Sequence, residues 1–156
     1  MAVAPTSPWP RAARLARANG LGYVVCGLLT MLASFPGSTL DMLLGAALLA
    51  AGIVERRSAV RLAEGDAGAS AILARNELAL GAAIVSYAVL RMTVLPSPSL
   101  SDPALVDALG GSGSDVREML DATAKIVYGG VAAIALLYQG GMALYFSRYR
   151  QADVGS

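Results

Sequence analysis

Ile126 to Phe146 reads IVYGGVAAIALLYQGGMALYF, a run without a single charged residue. Wound as an α-helix at 1.5 Å per residue it is about 31 Å long, the depth of a bilayer's hydrocarbon core, so the spacing predicts a helix that crosses a membrane unaided. Asp115 and Glu118 fall in the first turn of a helix beginning near Ser114, where the positive end of the helix dipole favours acids. Arg148 and Arg150 close it, where the dipole favours bases.

Working outward, the whole chain shares this character. Of its 156 residues 56% are hydrophobic and 15% charged, with a mean hydropathy of +0.59. A soluble domain carries about 25% charge. The apolar residues are gathered in blocks instead of recurring at amphipathic spacing, which points to burial in lipid and to one membrane domain over 1–156. Leu21 to Phe35 (LGYVVCGLLTMLASF) forms a first span, preceded by Arg11, Arg14 and Arg17 on one helical face and stopped by Pro36-Gly37. Ser38 and Asp41 have capping spacing and open a second helix, whose uncharged part, Met42 to Val54, is short for a bilayer. Its pattern continues through Glu55, Arg56, Arg57 and Arg61 to Gly65-Asp66, a stop followed by a new cap. The third helix carries Arg75, Asn76 and Glu77 before its apolar run Leu78 to Leu90, with Arg91 beyond and Pro96 as the breaker. The expected fold is therefore all-α: an integral membrane four-helix bundle with spans near 19–35, 39–55, 76–94 and 125–146. Helices two and three extend into a charged cytoplasmic hairpin over 55–77. A polar outer loop over 96–114 precedes helix four and includes a short helix from Asp102-Pro103 to Gly110-Gly111.

Orientation follows from the basic residues. Arg11, Arg14, Arg17, Arg56, Arg57, Arg61, Arg75, Arg148 and Arg150 fall on one side of these spans, and Arg91, Arg117 and Lys125 on the other. The side with more Arg is the cytoplasm, which puts both termini there (N-in and C-in). The preference for Arg over Lys, with abundant Ala and Gly, suggests a GC-rich bacterial genome and hence a bacterial inner membrane. A cleaved signal peptide is the competing reading of the first run, since Ala33 and Ser34 end it; cleavage would leave three spans, in tension with the basic loops.

Polar groups inside a membrane are costly, so each deep one is a candidate site. Asn76 and Glu77 are expected near the inner interface, with Arg56, Arg57 or Arg75 neutralising the carboxylate. Ser86, Tyr87 and Gln139 lie deeper, and Ser86 and Gln139 are at similar enough depth to hydrogen bond one another. Ala46 and Ala50 on helix two, and Gly129, Gly130, Gly140 and Gly141 on helix four, are candidates for close helix packing, within this chain or against a second copy.

The chain has no His and one Cys, Cys26. Bis-histidine haem, histidine-based zinc chemistry, a Ser-His catalytic pair and an iron-sulfur cluster are therefore excluded. Arg75-Asn76-Glu77 resembles part of the polar cluster of four-helix eicosanoid and glutathione transferases of the membrane in those three residues alone. Small multidrug transporters carry a deep Glu in their first span where this chain has no acid. Neither similarity assigns a family. The sequence thus leads to a non-enzymatic structural or interaction module that presents its hairpin to partners. The alternative is an oligomeric channel or transporter subunit with a path near Ser86, Tyr87, Gln139 and Glu77. The expected partners are the lipid bilayer and a second copy or another membrane protein; no cofactor, metal or nucleic acid is expected.

Overall fold

The computed structural model describes residues 9–35, 37–93 and 113–151. Its elements are four α-helices: α1 (Trp9–Ser34), α2 (Thr39–Ala63), α3 (Ala67–Thr93) and α4 (Gly113–Gln151). The segment expected to form the outer loop and its short helix lies almost wholly outside the described residues, as do residues 1–8.

The helix ends obey local chemistry. The Ser38 hydroxyl accepts from the Asp41 amide at 3.3 Å and caps α2, leaving Asp41 in the first turn beside the positive helix end. At the other end Gly65 takes φ 89°, which costs glycine nothing. This lets the Asp66 amide reach the Arg61 carbonyl and the Gly65 amide the Leu62 carbonyl, the paired bonds of a Schellman stop. Asp66 then serves the next helix, accepting from the Gly68 amide at 2.8 Å, and Arg61 clamps it with two guanidinium hydrogen bonds of 2.9 and 2.6 Å. Those hydrogen bonds hold the Asp66 carboxyl below its ordinary pKa.

Three of the helices contain stretches long and apolar enough to cross a membrane: Pro10–Ser34, Gly68–Thr93 and Glu118–Arg148. The fourth expected span, on α2, falls short by that measure because Asp41 stands at one end of its apolar run and Glu55, Arg56 and Arg57 at the other. Large apolar side chains face outward on these helices, to the extent that Ile126 is 75% and Leu137 79% exposed.

The chain divides into two compact units, one from Met1–Ala83 with Tyr138–Ser156 and one from Ile84–Leu137. The first unit holds the core. Ala12, Ala13 and Ala16 of α1 meet Ala59 and Leu62 of α2, Ala69 and Leu73 of α3, and Phe146 of α4, all buried, with Met142 and Tyr145 packed against them. The α2–α3 hairpin is therefore not a free projection. α1 begins well before its apolar run and α4 continues past Phe146, so their ends flank the hairpin and cover it. The small face Ala12-Ala13-Ala16 makes this close packing, while Arg11, Arg14 and Arg17 point away from it and are exposed.

Candidate functional site

One turn from this core, in the same unit, polar side chains from all four helices meet. Their approach depends on glycine. Gly20 and Gly27 on α1 stand opposite Gly52 and Gly45 on α2, so the two antiparallel helices touch backbone to backbone. A Cβ built on Gly52 would lie 2.6 Å from the Gly20 carbonyl oxygen, and one on Gly27 would lie 2.7 Å from that of Gly45. The same approach brings Glu55 against α1, its Cβ only 3.1 Å from where a side chain at Gly20 would begin. Gly81 opens α3 to α4 in the same way, since a Cβ there would lie 3.1 Å from that of Gln139.

Glu55 and Glu77 are both 0% exposed. The Tyr23 hydroxyl donates to Glu77 Oε2 at 3.0 Å, and Asn19 Nδ2 donates to Glu77 Oε1 at 3.5 Å, at the long limit of such a bond. Tyr23 Oη is also 3.0 Å from Oε1 of Gln139, a side chain left 4% exposed. Tyr138 completes the circuit by donating to Asn19 Oδ1 at 2.9 Å. Both Glu55 oxygens are buried without a hydrogen-bond donor among the described residues. Leaving a carboxyl so is costly. Arg17, Arg56, Arg57 and Arg75 sit on the same helices with exposed side chains, and the groups that donate to Glu77 are neutral.

The residues singled out from sequence are distributed as follows. Glu77 and Gln139 come together through Tyr23. Asn76 ties α3 to α2, its Nδ2 donating to the Ala51 carbonyl at 3.1 Å. Ser86, in the second unit, is exposed. In the second unit Tyr87 Oη accepts from Arg91 Nε at 3.3 Å, the Arg91 guanidinium lies 5.6 Å from the Tyr87 ring centre, and Tyr128 meets that ring edge-on at 6.0 Å. Ala46 and Ala50 are exposed, and a Cβ at Gly129, Gly130, Gly140 or Gly141 would meet nothing within 4 Å among the described residues. The close backbone approach between α1 and α2 is made at Gly20, Gly27, Gly45 and Gly52.

Glu55, Tyr23 and Asn19 were not anticipated. Glu55 reads as the first residue of a charged exit because Arg56 and Arg57 follow it. The signal that would have found it is the spacing Gly52, Glu55, Ala59, Leu62, which places the acid on the small and apolar face of α2. Among the described residues no group of three or more His, Cys, Asp or Glu gathers as a metal site.

No family model, no curated protein and no solved structure matches this chain.

Proposed function

We propose that the chain is a small multi-pass protein of a bacterial cytoplasmic membrane, with both termini inside, and that it moves a small cation by way of the Glu55 and Glu77 carboxyl groups. The observation that carries this reading is the complete burial of both acids without a basic partner among the described residues, in a unit that also exposes large apolar side chains such as Leu28, Leu29, Leu32 and Leu43. An ionisable group at membrane depth is expensive and is retained where a proton or cation passes.

Four crossings are favoured over three by the contact between α1 and α2. Gly20 stands opposite Gly52 and Gly27 opposite Gly45, so the part of α2 between Gly45 and Gly52 shares the depth of α1 between Gly20 and Gly27. If α1 crosses, α2 crosses beside it. The exposed bases Arg11, Arg14, Arg17, Arg56, Arg57, Arg61, Arg75 and Arg148 then gather on one side, which supports a cytoplasmic placement of both ends.

The test is proton flux into vesicles. Purified protein in liposomes with an entrapped pH-sensitive dye should dissipate an imposed gradient faster than Glu77→Gln or empty vesicles. Equal rates for the three would remove the transport reading.

A structural or interaction module remains the second reading, supported by the open space over Gly129, Gly130, Gly140 and Gly141, which leaves these positions free to receive another helix. The mass of the protein in nanodiscs tests it: a defined oligomer that loses subunits on Gly140→Leu supports association, and a monomer opposes it.

A further inference from the structure

Positive charge is left unbalanced along one flank of the α1–α2 seam. α1 contains no acid, and the acids of α2 are Asp41, in its first turn, and Glu55, which is buried. Arg17 and Arg56 border the seam with exposed side chains, and neither is paired with an acid among the described residues. Arg61, by contrast, is already clamped to Asp66.

The glycine contact sets the two bases at one level. Gly20 stands opposite Gly52. Arg17 lies three residues before Gly20 and Arg56 four after Gly52, which in antiparallel helices is the same direction, about 4.5 and 6 Å along the axis. The Arg56 stem also crosses toward α1. Its Cγ would lie 2.8 Å from a Cβ at Gly20, so the bare glycine seats the aliphatic stem while the charged head stays exposed. Arg17 is one turn from Gly20 and so neighbours this seat on α1.

Apolar side chains continue both basic positions into the bundle. Leu21 and Leu28 follow Arg17 at spacings of four and eleven, Ile53 precedes Arg56 by three, and all three are exposed. Two guanidinium groups above a strip of exposed hydrocarbon match a phospholipid: forked donors for the phosphate oxygens and an apolar surface for an acyl chain.

From this placement we infer that Arg17 and Arg56 hold the headgroup of an anionic phospholipid at the basic end of the α1–α2 seam, with its chain along Leu21, Leu28 and Ile53. The pair of bases sets the lipid class. A zwitterionic headgroup brings its own cation to the phosphate, whereas an anionic one leaves its charge to the protein.

This inference rests on the reading of the chain as a membrane protein and not on cation movement. The full chain in detergent is titrated with phosphatidylglycerol and, separately, with phosphatidylcholine of the same acyl chains, and the affinity for the first bound lipid is read from native mass spectra. Wild type should hold phosphatidylglycerol the more tightly. Arg17→Gln and Arg56→Gln should each weaken it about fivefold, one base's share of the attraction to an anionic headgroup, and leave phosphatidylcholine unchanged. Arg11→Gln removes the same charge from α1 six residues, about 9 Å, farther from the apolar run, and should leave both affinities unchanged. All three bases are exposed, and matching unfolding midpoints check that the variants keep the fold.

Equal affinity of wild type for the two lipids would overturn the site and leave the two bases to an acidic protein partner. Equal losses in Arg11→Gln and Arg17→Gln would also overturn it, since net charge alone would then attract the lipid. If wild type retains neither lipid, the site falls together with the membrane reading.

Discussion

The backbone contact between α1 and α2 can be tested with two alanines on one helix. Gly27 and Gly22 lie in the same stretch of α1 and have the same intrinsic gain from Gly→Ala, about 0.8 to 1 kcal/mol of helix propensity. Their surroundings differ completely. A Cβ at Gly27 would stand 2.7 Å from the Gly45 carbonyl oxygen and 2.9 Å from the Leu49 amide nitrogen, whereas one at Gly22 meets nothing within 4 Å. Ordinary contact begins at 3.4 Å, so Gly27→Ala must drive the two backbones apart by about 0.7 Å (3.4 less 2.7). Backbone cannot rotate aside as a side chain can. Overpacking of this kind costs about 1 to 3 kcal/mol. Gly22→Ala should therefore be neutral or stabilised, and Gly27→Ala should fall below it by roughly that 1 to 3 kcal/mol. The assay is thermal unfolding in one detergent, followed by a tertiary signal such as near-ultraviolet circular dichroism. Equal midpoints for the two variants would refute the contact, and with it the argument that α2 shares the depth of α1.

Three further outcomes follow from the α2–α3 region. Gly65→Ala forces a side chain into φ 89° and should cost about 1 to 2 kcal/mol in the same unfolding assay. Asp66 is held below its ordinary pKa, first by the Arg61 hydrogen bonds and then by the Gly68 amide, so its contribution to stability is full above the ordinary value of about 3.9. That contribution should fade as pH drops from there through the depressed folded value; Asp66→Asn should be less stable than wild type at neutral pH and converge with it in acid. Asn76→Ala removes the bond to the Ala51 carbonyl and should cost about 0.6 to 2 kcal/mol, read as earlier unfolding with unchanged helix content.

The helices were legible where local chemistry fixes them. Ser38 with Asp41, Gly65 with Asp66 and the blocks of apolar residues mark ends and lengths without reference to any other part of the chain. The site was half legible. Glu77 and Gln139 stand out as polar residues bordering or inside apolar runs, but the side chain that joins them, Tyr23, is separated from them by 54 and 116 positions. Glu55 was hidden by its neighbours. Successive helical residues point about 100° apart, so Arg56 and Arg57 can be exposed while Glu55 beside them is buried. The glycine contacts within the chain were not legible: Gly129-Gly130 and Gly140-Gly141 are conspicuous as doublets, whereas the close approaches among the described residues fall at seven-residue spacing, Gly20 with Gly27 and Gly45 with Gly52. Packing selects a recurring face, and a doublet occupies two faces.

Everything proposed for the carboxyl pair depends on α1 lying in lipid, and the chain carries its own probe for that. Cys26 is the sole cysteine, exposed, on α1 between Tyr23 and Gly27. A nitroxide attached there in liposomes can be tested for collision with oxygen, which concentrates in the bilayer, and with a water-soluble nickel complex, which does not enter it. Strong relaxation by oxygen with little by nickel is the predicted result. Strong relaxation by nickel would place α1 in water and contradict the membrane bundle.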